Sequence, residues 1–168
     1  IEILTDKMIY TLNSRVFARV MVMADKLHYV NCKHPDEIPR ENWGKVIFLG
    51  MPDLIKRIRK YVDTLTDTRA NFMSSSISSF EMLNEGVHKG TAVMKIAELY
   101  DIEHKYIAAI GDYFNDYDML KSVGVPACCG QAPKELKEIS EFVSCHCNDG
   151  AVADFLEYIE HKTSNRTK

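Results

Sequence analysis

The sequence predicts an α/β chain in two parts: an α+β first half, then a second half built on a parallel sheet sandwiched by helices. Two observations carry this. From Val87 onward short apolar runs alternate with helix-period segments, the pattern of parallel strands joined by crossover helices. Before that point strands cluster between turn residues and outnumber helices. With 168 residues, 46% of them hydrophobic, the chain can build one generous domain or two small ones.

The elements follow in order. Ile1–Asp6 and Met8–Leu12 read as strands, and an opening inside apolar sequence leads us to expect further sequence upstream. Asn13 or Ser14 caps an expected helix whose apolar positions Val16, Val20, Met23, Ala24 and Leu27 recur at helical spacing. A strand at His28–Cys32 is followed by His34–Pro39, a connector broken by two prolines. Trp43–Leu49 is a further strand. Pro52 starts the next helix in its first turn, with Leu54, Ile58, Tyr61 and Leu65 as the expected buried stripe. Arg69–Ile77 and Ser79–Leu83 read as two strands joined by a serine-rich bend.

In the second half Lys89-Gly90-Thr91 introduces a helix with Val93, Ile96, Ala97 and Tyr100 on one face. The strand Tyr106–Ile110 comes next, then a helix over Asn115–Val123 and a strand at Val125–Cys129. A helix begun by Pro133, a strand at Phe142–Cys145 and a last helix complete the alternation. That helix is read as capped by Asp149 and burying Val152, Phe155, Leu156 and Ile159. His161–Lys168 reads as a frayed polar tail.

Composition excludes several classes. A net charge of −3 and a pI near 6.1, with Lys and Arg interleaved among Asp and Glu, argue against nucleic acid as a partner. The longest basic cluster, Lys56–Lys60, reads as a solvated helix face with at most a weak anion-steering role. No run approaches the roughly 18 apolar residues of a membrane span, so a soluble, cytoplasmic protein is expected. Five cysteines in no disulfide spacing read as reduced thiols. Cys145-His146-Cys147 is half of a zinc pattern, but no second pair completes it, and it reads as a strand end.

The stretch that carries chemistry is Ile107–Asp116. Its apolar run stops at Gly111 and is followed at once by Asp112, Asn115 and Asp116, as when a buried strand ends at a functional edge. Two carboxylates and an amide in one loop suit Mg²⁺, a hard cation that seldom takes a full protein cage. Asn115 or Asp116 as a plain helix cap is an equal alternative on the residues alone. In an open parallel sheet ligands sit beyond the carboxyl ends of the strands, where this loop lies. If the Lys89 helix runs antiparallel to the strand, its N-terminus returns to the same edge. An ammonium, a divalent metal and a helix N-terminus together would stabilise a transferring phosphoryl group.

Val87-His-Lys89-Gly90, Gly111-Asp112-Tyr-Phe-Asn115-Asp116-Tyr-Asp-Met119-Leu120, Gly130-Gln-Ala132 and Asn148-Asp149-Gly150 resemble the C-terminal half of Cof-type hydrolases of the haloacid dehalogenase superfamily. The resemblance covers residues 86–160. It implies a partial Rossmann-like core there, an α+β cap domain of the C2 type over residues 1–85, and a polar tail at 161–168. It also implies a Mg²⁺-dependent phosphatase of small phosphorylated metabolites, sugar phosphates or similar, working through an aspartyl-phosphate. By carry-over Lys89 is the catalytic lysine that holds the phosphate and Asn115 contacts it. Asp112 binds Mg²⁺ and Asp116 supports the metal through water or a neighbouring group. Gly90 and Gly111 allow close backbone approach, and the cap closes over the substrate and selects it.

One departure is decisive for activity. The family's Asp-x-Asp-Gly-Thr nucleophile segment and its Ser/Thr motif are not found, since the only Asp-x-Asp, Asp116-Tyr-Asp118, belongs to the metal loop. The resemblance therefore implies a cap plus the second half of a core, inactive alone, with an exposed core edge open to self-association or a companion segment. Pro126–Cys129 and Gln131 depart from a methionine-glycine-asparagine-alanine run and bear on local loop contacts. A non-catalytic phosphate- or metabolite-binding module of the same fold is the alternative function. A domain whose acidic loop only caps a helix is the third.

Overall fold

In the first half, side chains alternate across a pleated sheet, so each strand sends every second residue to the same face. A computed structural model describes residues 1–12 and 28–164. The chain divides into two compact units, Ile1–Gly86 and Val87–Lys168.

The first unit holds six strands: β1 (Glu2–Thr5), β2 (Ile9–Leu12), β3 (Tyr29–Cys32), β4 (Trp43–Leu49), β5 (Ala70–Ser76) and β6 (Ser79–Asn84). They form one sheet in the order β3-β2-β1-β4-β6-β5, antiparallel throughout except for the β2–β3 pair. The Thr5 hydroxyl closes the β1–β2 turn, donating to Met8 O and accepting from Met8 N. Ile3, Leu12, Cys32 and Val46 share the apolar face, where they and Ile38 form the buried core with Tyr10, Phe48 and Met82 packed against it. The helix expected from Asn13 or Ser14 to Leu27 lies outside the described residues.

Helix α1 (Pro52–Val62) starts with proline in its first turn, where the missing N–H costs nothing. Its expected stripe is corrected: Ile55 is the buried residue, while Leu54, Tyr61 and Leu65 are exposed. Ile55, Ile58 and Val62, the first buried and the other two half-buried, recur at helical spacing and make the inward face. Leu54, Tyr61 and Leu65 instead line an open groove with Leu12, Phe48 and Phe72. That shared lining puts α1 on the apolar face of the sheet.

The second unit alternates α2 (Lys89–Leu99), β7 (Ala108–Gly111), α3 (Tyr117–Ser122), β8 (Val125–Cys128), α4 (Lys134–Ile139), β9 (Phe142–Val143) and α5 (Ala151–Ser164). The three strands make a parallel sheet in the order β7-β8-β9, with Ala108 opposite Val125 and Ala127 opposite Phe142. Leu120, Cys128, Ala132 and Leu136 form its buried cluster. Phe142 stacks on Tyr158 with ring centroids 4.3 Å apart, and Phe155 joins the stack.

Two readings of helix faces change here. In α2 only Gly90 and Ala97 are buried, whereas Ile96 and Tyr100 are 58% and 69% exposed. In α5 Ala151 and Phe155 are buried, whereas Val152 and Leu156 are exposed. Periodicity marks an apolar stripe, but a three-stranded sheet is too small to cover the whole of it. The polar end is helical through Ser164, fastened where Lys162 and Tyr158 bond the Glu141 carboxylate.

Gly124 marks the tightest backbone crossing. Its N–H donates to His104 O at 2.9 Å, and a Cβ there would stand 2.4 Å from Lys105 Cα. Gly124→Ala is expected to cost about 1–3 kcal/mol, read as a lower urea midpoint, because backbone on both sides must shift. Gly44→Ala is the control: a Cβ there would meet its nearest atom, Leu4 O, at 3.7 Å, and a change within about 0.5 kcal/mol is expected.

Candidate functional site

The site is built at the carboxyl end of β7. The strand stops at Gly111, Asp112 follows, and a 3-10 turn over Phe114–Asp116 leads into α3. This turn folds Asp116 back beneath the strand end, where it is 4% exposed. Its Oδ2 accepts from the backbone N–H of Asp112 at 3.0 Å and of Tyr113 at 3.5 Å. Its Oδ1 accepts from Lys89 Nζ at 2.5 Å. One carboxylate thus joins the loop to the N-terminus of α2. The expected convergence of the lysine and the acidic loop on one sheet edge is present in the coordinates.

Glycine makes the fold-back feasible. A Cβ on Gly111 would lie 2.4 Å from Asp116 Cβ and 2.9 Å from its Oδ2, so any larger residue would expel the carboxylate. A Cβ on Gly90 would lie 2.7 Å from Asp118 O, so glycine there lets α2 press against the start of α3. The close approach is to the protein itself, the loop carboxylate at Gly111 and the first turn of α3 at Gly90.

Lys89 is aimed by a cap. His88 is the N-cap of α2: its Nδ1 accepts from Thr91 N at 3.3 Å, and Thr91 Oγ1 accepts from His88 N at 3.1 Å. The reciprocal pair satisfies two N–H groups that the helix start would otherwise leave free. Sequence reading missed it, although His-x-x-Thr has the spacing of a capping box with unusual residues. Lys89 keeps about half its side chain in water while Asp116 keeps 5%. The ammonium therefore reaches the rim with donors to spare.

Asp112 is exposed and Asn115 half-buried on the same loop. Among the described residues no three His, Cys, Asp or Glu side chains gather into a metal-holding group. The donors fit Mg²⁺ in its sparse mode, in which one or two carboxylates hold a cation that keeps several waters and takes substrate phosphate oxygens. Asp112 offers a carboxylate for this. Both oxygens of Asp116 are engaged, Oδ1 by Lys89 and Oδ2 by the Asp112 and Tyr113 backbone.

The neighbouring loops are tied to this rim. Cys129 N donates to Gly111 O at 3.0 Å, and Cys147 N donates to the Gln131 side chain at 3.0 Å. Burial pushes the Cys129 thiol up, and the Asp112 carboxylate adds to the shift. Cys145 donates to Asp149 O, and Cys147 lies 3.7 Å from His146 Nδ1. The strand they were read as ending stops at Val143. Ser144 is buried; its hydroxyl and the Cys145 N–H both donate to Asp154 Oδ2, at 2.6 and 3.0 Å.

Two outcomes follow from these contacts. Asp116→Ala removes an acceptor shared by an ammonium and two amides, and is expected to cost about 2–3 kcal/mol in urea unfolding, whereas Asp112→Ala stays within about 0.5 kcal/mol. The Asp154 carboxyl is held below its usual range, first by the Ser144 hydroxyl and then by the Cys145 N–H. A lowered folded pKa stabilises above the unfolded value and loses that stabilisation as pH falls through the folded one. Urea midpoints of the unmodified protein and Ser144→Ala are therefore expected to differ most near neutrality and to draw together in acid.

Residues 1–156 match the family of haloacid dehalogenase-like hydrolases. The chain is 32% identical over 123 residues to the HMP-PP phosphatase of Citrobacter koseri, covering 72% of this chain and 45% of that protein. It is 31% identical over 133 residues to the HMP-PP phosphatase of Klebsiella pneumoniae, covering 78% and 48%. The chain thus spans about half the length of these curated relatives. In fold it is similar to a haloacid dehalogenase-like hydrolase from B. subtilis, with a TM-score of 0.80 at 18% identity over 93% of this chain and 64% of that one. A second such hydrolase, from Bacteroides thetaiotaomicron, gives a TM-score of 0.73 at 20% identity over 94% and 60%. With the Gly-Asp-x-x-Asn-Asp loop and Lys89 on one sheet edge, and a family match over nearly its whole length, the chain belongs to the haloacid dehalogenase-like hydrolases.

Proposed function

We propose that this chain forms part of a Mg²⁺-dependent phosphatase of small phosphorylated metabolites. The observation that carries the reading is the Asp116 carboxylate at the strand end, which takes the Lys89 ammonium on one oxygen and the backbone N–H of the exposed Asp112 on the other. Lys89 binds the phosphate and offsets the charge of the attacking group. Asn115 donates its amide to a phosphate oxygen and Asp112 holds the metal, while Asp116 keeps Lys89 and Asp112 in register. Bound Mg²⁺ supplies Lewis-acid charge at the phosphate. The resemblance to phosphatases that cover a similar share of this chain supports this substrate class.

The reaction in this reading runs through an aspartyl-phosphate: a carboxylate attacks phosphorus, the alcohol leaves, and water releases phosphate. The 168 residues contain no Asp-x-Asp-Gly-Thr segment, so we place the nucleophile on further chain. Two observations support a companion segment. β7 lies at the edge of its sheet, and Ile96, Leu99, Tyr100 and Tyr106 are exposed in the same unit. Self-association along that edge would cover the same surface. Residues 1–86 serve as the cap that selects the substrate. Among the described residues no helix is long and apolar enough to cross a membrane.

The test is hydrolysis of p-nitrophenyl phosphate by the full-length polypeptide in which this chain occurs. Activity is expected to require Mg²⁺, to vanish with EDTA, and to fall at least about 100-fold in Lys89→Ala and in Asp112→Ala. Activity indifferent to both substitutions would refute the assignment. If the full-length polypeptide binds inorganic phosphate through Lys89 but turns nothing over, the non-catalytic binding module is the correct reading.

A further inference from the structure

Three of the five cysteines, Cys129, Cys145 and Cys147, gather on two loops at the carboxyl edge of the parallel sheet. One loop leaves β8 at Cys129, and the other follows β9 from Ser144 to Gly150. Gly111 pairs with Cys128, so the next residue along each strand sets Cys129 beside Asp112, and the Cys129 N–H donates to Gly111 O at 3.0 Å. The two loops touch directly. The Gly130 N–H donates to Cys145 O at 2.9 Å, and a Cβ on Gly130 would stand 3.0 Å from Ser144 O and 3.3 Å from His146 N. Cys129 precedes this contact on one loop and Cys147 follows it on the other, where the Cys147 N–H donates to the Gln131 side chain at 3.0 Å.

The two thiols have opposite surroundings. Cys147 is exposed, on a 3-10 turn over Cys147–Asp149 that buries no residue. His146 Nδ1, which accepts the Asn148 N–H at 3.2 Å, lies 3.7 Å from Cys147 Sγ and is the base within reach of that thiol. Cys129 is buried. Burial pushes its thiol up, and the charges of Asp112 and then Cys147 add to the rise, which marks both as its neighbours. A thiol held protonated by burial resists direct oxidation, whereas an exposed one meets oxidant first. The remaining thiols are engaged elsewhere: Cys32 and Cys128 lie in the two buried clusters, and Cys145 donates to Asp149 O at 3.5 Å.

We propose that Cys147 and Cys129 are an oxidisable pair that hydrogen peroxide closes into a disulfide between the two loops. Peroxide takes the Cys147 sulfur to a sulfenic acid and releases one water. The Cys129 sulfur then attacks it, the S–S bond forms, the S–O bond breaks, and a second water leaves with the Cys129 proton. The pair gives up two electrons and the peroxide accepts them. A disulfide holds its Cα atoms about 4.4–6.8 Å apart, a separation that strand ends about 4.8 Å apart offer once the exposed turn yields. Cys129 is bonded to the strand end beside Asp112, so closure strains the metal-facing loop and lowers activity. That consequence rests on the reading of this loop as the Mg²⁺ site; the disulfide itself does not.

The test is peptide mapping of the full-length polypeptide before and after hydrogen peroxide, with amide chemical shifts and p-nitrophenyl phosphate hydrolysis followed in parallel. Expected are a linked Cys129–Cys147 peptide pair, a shift of the Asp112–Asp116 amides, and an activity loss of at least about tenfold, all reversed by dithiothreitol. Cys147→Ser is expected to keep the resting activity and lose all three responses, whereas Cys145→Ser retains them. Unlinked peptides, a Cys145–Cys147 link in their place, or a link that leaves the amides or the activity unchanged would overturn the proposal. If the reduced polypeptide shows no activity at the outset, the phosphatase reading falls by itself, and the link and the amides still decide this one.

Discussion

The second unit depends on one buried carboxylate with two obligations. Asp116 takes a lysine on one oxygen and the backbone of the strand end on the other, so the helix start and the loop cannot move independently. Burying a carboxylate costs several kcal/mol unless its lone pairs are occupied, and here they are. The arrangement is strict because it has almost no slack. Gly111 leaves the volume the carboxylate fills, Gly90 brings the helix close enough for the lysine to reach, and the His88–Thr91 cap aims that lysine.

This explains a division of labour between two acids that look alike in sequence. Asp116 is spent on geometry and Asp112 is left exposed, and in the proposed reading Asp112 is the acid that meets the cation. A site that must hold a multiply charged phosphate group gains from having its charges fixed beforehand, since little then has to reorganise when substrate arrives. The tied loops at Cys129, Gln131 and Ser144 serve the same end by bracing the rim behind Asp112. The first unit follows a different logic. One face of its sheet is apolar and takes α1, and the other carries polar groups, the Thr11–Asn31 and Lys45–Glu81 bonds among them.

Much of this was legible in the residues. The loop from Gly111 to Asp116 announces itself because an apolar run stops abruptly at glycine and is followed by three polar side chains. The β4 boundaries and the proline start of α1 coincide with the coordinates, since both depend on local chemistry. What periodicity could not supply was which part of an apolar stripe is covered. Ile96, Tyr100, Val152 and Leu156 are exposed although their spacing is that of a buried face, because coverage depends on the size of the neighbouring sheet. The role of Asp116 as a tie and the approach of Cys147 to Cys129 were also out of reach. Both need contacts between residues distant in sequence, which only strand register and helix packing decide.

In the proposed function Asp112 is the metal-facing acid and Asp116 the acid that holds it in place. Side-chain carboxyl carbon NMR during a Mg²⁺ titration separates the two directly. The Asp112 Cγ resonance is expected to move with saturable dependence on Mg²⁺ while Asp116 Cγ stays near its starting position. Movement of Asp116 with Asp112 unaffected, or no response from either, would contradict it.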